Sequence, residues 1–136
     1  MKDVRFIRNM MLLCGLFIVL GIVLGPSMAS AQAATSKAIK FETYRTAIKK
    51  DYGIDIKEFK EQLKGGRADG KEITKYDLKQ ILMGIKIEQE HTTNKMIALE
   101  ISMDHLEEIP DYYTRLAEME EEAEDELEDI KASSKK

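Results

Sequence analysis

The chain has 136 residues, 34% of them charged and 43% hydrophobic, with 8 Gly, 2 Pro and a formal net charge of −4. That length allows one domain, and so charged a chain with so little Gly and Pro reads as helical and globular rather than disordered. The single cysteine, Cys14, lies in an apolar run near the N-terminus, so the rest of the chain has no disulfide, thiolate metal site or cysteine nucleophile.

Lys2, Arg5 and Arg8 precede an uncharged run from Met10 to Leu24, which Gly25-Pro26 then breaks. Ala29-Ser30-Ala31 and Ala31-Gln32-Ala33 both fit the small-x-small cleavage pattern. Residues 1–31 therefore read as a secretory signal peptide. The run is shorter than the roughly 20 residues of a spanning helix. Left uncut, it makes the alternative of an N-terminal anchor, with residues 10–24 as the only membrane contact. Either way the positive flank stays inside and the remainder is exported, to the periplasm or the cell exterior. Leu12-Leu13 are too large for a lipoprotein signal at Cys14.

Residues 32–37 form a small polar linker, residues 38–117 a helical domain and residues 118–136 an acidic helical tail. Ala38, Phe41, Tyr44, Ile48 and Tyr52 recur every three or four positions, which is one stripe of a helix closed by Gly53. Asp55 with Glu58 suggests a capping box and a short helix with Phe59 and Leu63 inward, ended by Gly65-Gly66. Residues 65–72, GGRADGKE, lack the order of a phosphate loop and the acids of a calcium loop, and predict a turn. Thr74 with Asp77 caps a helix with Leu78, Ile81, Leu82 and Ile85 inside, interrupted or kinked at Gly84 and continuing to His91. Thr92-Thr93-Asn94 is a turn, with Thr93 or Asn94 capping a central helix over 95–108. Ile109-Pro110 starts the last helix, with Pro in its first turn. The fold class is all-α: a compact bundle of four to five short helices with an extended acidic C-terminal helix.

Charge divides along the chain. Residues 32–117 carry 15 bases and 15 acids, whereas residues 118–129 carry nine acids and no base. Like charges four apart weaken that helix. The tail reads as a solvated, fraying helix end or as a cation-binding or partner-docking tail, and its broken heptads, Tyr112, Leu116, Met119, Ala123, Leu127 and Ile130, could support a partner helix. Residues 37–79 hold 12 bases against eight acids, an excess too slight for nucleic-acid binding in an exported chain.

Residues 84–116 hold both histidines, each directly after an acid, as Glu90-His91 and Asp104-His105. On a helix Glu88 and His91 share a face, as do Glu100 and Asp104, with His105 adjacent. Oxygen and imidazole ligands at these spacings suit a divalent transition metal (zinc, manganese or iron), so Glu88, His91, Glu100, Asp104 and His105 are the candidate metal ligands. Across a simple hairpin the two histidines lie about 16 Å apart, so one metal cannot take both. The structural alternative has His91 beside a helix C-terminus and His105 bonded to Asp77, Glu108 or Tyr113. There is no Ser-His-Asp order and no HExxH, and no catalytic residue is assigned.

Gly84-Ile85, Glu88-x-Glu90-His91-Thr92, and Ala98-x-x-Ile101-x-x-Asp104-His105-Leu106-x-Glu108-x-Pro110-Asp111-Tyr112-Tyr113-x-x-Leu116 together resemble a small family of unknown function from bacteria and phages. Ala68-Asp69-Gly70-Lys71 resembles its upstream loop. The likeness spans residues 55–119. It implies that the two acid–histidine pairs are the family's hallmark and implies no activity. The sequence thus predicts an exported, non-enzymatic structural or interaction module. The alternative is a metal-binding protein, extending to a metal-dependent enzyme.

Overall fold

Among the described residues, four helices and one 3-10 turn make up the regular structure: α1 (Met28–Tyr52), the turn Ile73–Lys75, α2 (Leu78–Glu88), α3 (Lys95–Glu108) and α4 (Tyr112–Ser133). They come from a computed structural model that describes residues 28–134. No strand occurs among those residues, and the fold is the expected all-α bundle. The basic residues 2–8, the uncharged run 10–24 with Cys14, and Gly25-Pro26 lie outside the described residues. Two units are distinguished in the chain, residues 1–34 and 35–136. Of the first, residues 28–34 are described; they are helical, and both small-x-small patterns are exposed there. The second holds the core.

Helix α1 begins ten residues before the apolar stripe does, so residues 32–37 lie within it. Residues 28–37 are Ala, Ser, Gln, Thr, Lys and Met, with no Gly or Pro to stop a helix from propagating. The stripe itself packs as expected, with Tyr44 and Ile48 buried and Phe41 and Tyr52 against the core. The Tyr44 hydroxyl donates to the Tyr76 carbonyl (2.7 Å) and the Tyr52 hydroxyl to that of Leu82 (2.6 Å). Gly53, at φ 73°, closes the helix in the left-handed region, its N–H donating to the Lys49 carbonyl.

The short helix expected from Asp55 does not form. The Asp55 carboxylate accepts the Lys57 amide at 3.2 Å and is otherwise held by α1. Arg45 Nε and Nη2 each donate to it at 2.7 Å, and Lys49 Nζ at 2.9 Å. Residues 53–72 run without a helix and bury Ile54, Ile56 and Ala68, with Phe59 packed beside them. Leu63, expected inward, is exposed. So long an irregular segment can pack only if its amides find acceptors. Here the Gln62, Leu63 and Ala68 amides find carboxylates on α3, and others, such as those of Lys57, Gly65 and Gly70, find carboxylates within the segment itself.

Asp77 caps α2, accepting from the Gln80 N–H at 3.1 Å, while Thr74, expected as the cap, belongs to the 3-10 turn. Asn94 caps α3, accepting from the Met96 and Ile97 amides. α3 has the expected bounds and buries Ala98, Leu99, Glu100, Ser102, Met103 and Leu106, which lie around most of its circumference. α2 packs most extensively on α3 and also contacts α4. Pro110 precedes α4, which starts at Tyr112, so the proline ends the connection rather than filling the first turn.

Gly84 does not interrupt α2. It is a buried residue within the continuous helix. A Cβ there would stand 2.5 Å from Tyr113 Cε2, 2.7 Å from Ser102 Oγ and 2.8 Å from Ser102 Cβ. The glycine therefore provides the room in which three helices meet. In an open helix Gly84→Ala would stabilise by about 1 kcal/mol. Here overpacking wins, and urea denaturation should show a loss of about 1–3 kcal/mol. Unchanged or raised stability would show that the helices do not approach this closely.

Candidate functional site

The candidate ligands separate onto two sides of α3. Glu100 and Asp104 share a face, as their spacing predicts, and that face meets the irregular segment. The Glu100 carboxylate accepts the Gln62 and Leu63 amides at 2.9 and 3.0 Å. Asp104 accepts the Ala68 amide at 2.7 Å. A Cβ on Gly66 would sit 2.6 Å from Asp104 Oδ2, so the glycine lets the backbone close on this acid. Both carboxylates therefore stand in for the helix or sheet partners that the segment lacks.

His105 lies on the other side, with Glu88 of α2. Glu88 Oε1 accepts the Tyr113 hydroxyl at 2.8 Å and lies 3.5 Å from His105 Nε2. The His105 ring stacks on Tyr112 at 4.4 Å between centroids and 3° between planes. Tyr113 meets the edges of both rings, at 6.1 and 5.0 Å. His105 thus takes Glu88 and the tyrosine pair, rather than Asp77 or Glu108, as its neighbours. Helix geometry explains how side chains several residues out of register touch. Side chains tilt toward their own helix N-terminus. In the antiparallel pair made by the short 89–94 connection, Glu88 and His105 therefore lean toward each other, beyond the Gly84–Ser102 contact.

His91 is not in this cluster. α2 ends at Glu88, and the His91 amide bonds back to the Glu88 carbonyl in a turn, leaving the residue exposed. The three-residue spacing would place Glu88 and His91 on one face only if the helix continued. It stops because the last turn tightens into i→i−3 bonds before the Asn94 cap. Among the described residues, no three His, Cys, Asp or Glu side chains are grouped to hold a metal ion.

Tyr113 is fully buried. Burial, then the hydrogen bond to Glu88, push its phenol well above the usual tyrosine range, and the Ser102 hydroxyl opposes this in part. It is a fixed proton donor to the carboxylate. Gln80 holds it in place. Gln80 Oε1 accepts the Tyr113 amide at 3.1 Å, and Nε2 donates to Thr114 Oγ1. This α2 side chain does for α4 what Asp111, which makes no side-chain capping bond, does not. Gln80 and Ser102 were not candidates from spacing; Tyr113 was expected only as a partner for His105 and Gly84 only as a break in α2. The signals available were a glycine inside an apolar helix and a tyrosine pair just after Pro110-Asp111.

Chemically, the cluster offers a carboxylate, an imidazole and two phenols; the imidazole and the Tyr112 ring are half-buried, whereas Tyr113 is buried and Glu88 keeps 9% side-chain exposure against 34% for His105. No buried side-chain nitrogen or oxygen among the described residues lacks a hydrogen-bond partner. A second polar cluster joins α3 to the turn before α2. Glu107 takes Lys71 and Lys75 at 2.6 and 2.5 Å and the Tyr76 hydroxyl at 2.9 Å. Beside it lies a recess of about 210 Å³, lined by Lys75, Tyr76, Asp77, Leu106, Glu107 and Pro110. The lysines hold the Glu107 carboxyl down to about 2.

The family described as "Protein of unknown function (DUF5661)" matches residues 34–122. The chain belongs to this family. The match extends to both sides of residues 55–119, the stretch whose residues carry the resemblance. Among curated proteins and among solved structures, nothing matches the chain. The DUF5661 match contains the whole Glu88–His105–Tyr112–Tyr113 cluster and the first part of α4.

Two outcomes are expected of this DUF5661 domain. Tyr113→Phe leaves a buried carboxylate without its donor, which costs about 1–3 kcal/mol at neutral pH. Replacing both partners, as Tyr113→Phe with Glu88→Leu, should recover part of that loss in denaturant melts; an additive loss would mean that the pair does not act together. For Glu107, the folded carboxyl lies below its ordinary value, so its contribution to stability is complete above about 4.5 and disappears as pH falls through about 2. A carbon-detected NMR titration should place its midpoint there, and Lys71→Met with Lys75→Met should move it upward. An ordinary midpoint in the unaltered chain would break the assignment.

Proposed function

We propose that this chain is an exported, non-enzymatic interaction module: a helical domain locked by internal polar contacts that presents its C-terminal helix to a protein partner. One observation carries the reading. The groups that resemble an active site are spent on the fold, Glu88 on Tyr113, and Glu100 and Asp104 on backbone amides. A catalytic carboxylate or imidazole needs a substrate within hydrogen-bond reach. These acids already have their donors, and Tyr112 covers one face of the His105 ring.

Export rests on residues 1–33. The basic start, the uncharged run and the two small-x-small patterns are the parts of a signal peptide. The family match begins at residue 34, directly after the second pattern. Among the described residues no helix is long and apolar enough to cross a membrane. The uncharged run 10–24 therefore remains the segment that would anchor the chain if it were not cut.

Two measurements test this. N-terminal sequencing of the protein from the cell envelope or medium should begin at Gln32 or Ala34; an intact Met1 on membrane-bound protein would replace export after cleavage with anchoring. Elemental analysis and thermal melts with zinc, manganese or iron should show neither bound metal nor a shift. A stoichiometric metal lost in Glu88→Gln or His105→Ala would put a metal-binding function in place of this one.

A further inference from the structure

The outer part of α4 has an apolar face that nothing in the domain covers. The helix is anchored at its start by Tyr113, buried, and by Tyr112, Thr114 and Leu116, half-buried. From Ala117 onward every described residue is exposed. Yet Met119, Leu127 and Ile130 are 59%, 53% and 64% exposed, and with Ala123 they fall at spacings of four, four and three. At 100° per residue these four positions share one narrow stripe of the helix, in line with Leu116. Scattered surface apolar residues need no explanation, but an aligned row on a projecting helix is a seam for another helix.

The charges beside the seam select its occupant. Glu120 and Glu124 border it on one side, with Lys131 at the outer end of the same margin, and Glu122, Glu126 and Asp129 on the other, so five acids face one base. Two copies of α4 would set acidic margins against each other, which opposes self-pairing. Within the free helix, Glu118 and Glu122, Glu120 and Glu124, Glu121 and Asp125, and Glu124 and Glu128 are like charges four apart, each pair weakening it. Cations beside the seam would relieve that repulsion as the apolar row is buried. Arg115, the nearest base on the domain side, is already paired with Asp111 at 2.8 Å. The family match ends at residue 122, so Leu127 and Ile130 extend this surface past it.

We infer that the Met119–Ala123–Leu127–Ile130 face of α4 docks a basic amphipathic helix of another protein, one whose apolar stripe is bordered by lysine or arginine. This rests on the interaction-module reading and gives that module's partner its chemistry.

The test titrates the full chain with three labelled synthetic peptides of equal length: a leucine-striped helix bordered by lysines, the same stripe bordered by glutamates, and the lysine peptide with its stripe scrambled. The first should bind at least about tenfold more tightly than either control. It should raise helical circular dichroism, and it should weaken as ionic strength rises from about 0.1 M to about 1 M. Leu127→Gln with Ile130→Gln, both exposed and outside the core, should remove that preference while leaving the thermal melt unchanged. Equal binding of the scrambled peptide would reduce the tail to a polyanion and overturn the inference, as would a stable homodimer in sedimentation equilibrium. A photocrosslinker at residue 127 in the native cell separates the two levels. Capture there of a partner helix lacking basic margins overturns the inference but keeps the module. Failure of both peptide and crosslink overturns both.

Discussion

A carboxylate removed from water must be met by donors, and this domain is arranged around that requirement. Glu88, Glu100 and Asp104 all sit at packed surfaces of α2 and α3, and each takes donors from a different element. An unmatched buried charge would cost several kcal/mol, comparable with the whole stability of a small domain. The contacts are therefore also constraints on topology. Glu100 and Asp104 dictate where the segment 53–72 lies, and Glu88 dictates where α4 begins.

α3 thus works as a two-sided element. One side offers carboxylates to a segment that has no regular structure of its own. The other offers His105 and Ser102 to a junction with α2 and α4, where Gly84 removes the side chain that would hold the helices apart. Glu107 extends the same logic to the turn before α2, with Lys71, Lys75 and Tyr76 as donors. Hydrophobic burial supplies most of the driving force for such packing. The polar pairs select one arrangement among several that would bury similar area.

This division also separates the core from the outer part of α4. Of the residues that first suggest chemistry, Glu88, Glu100 and Asp104 are met by donors within the fold, whereas His91 stands exposed in a turn. The outer part of α4, which contributes nothing to the core, carries exposed apolar and acidic groups in a regular order. A helix rooted by Tyr113 and the Gln80 cap can project without loosening the domain.

Periodicity determined a good deal. The α1 stripe, the extent of α3, the Gly53 stop and the acidic final helix are local consequences of spacing and capping chemistry, and spacing reveals them; it narrowed the α3 cap to Thr93 or Asn94, and the structure has Asn94. The shared face of Glu100 and Asp104 was legible for the same reason. Three features were not. The expected helix after Asp55 did not form: its carboxylate is held by Arg45 and Lys49 of α1 and reaches only the Lys57 amide locally. His91 fell outside its expected face because α2 stops at Glu88, and helix ends are set by competing caps. The pairing of Glu88 with Tyr113 and His105 depends on how closely two helices approach and on which way long side chains lean. That is a property of the packed pair, and neither helix holds it alone.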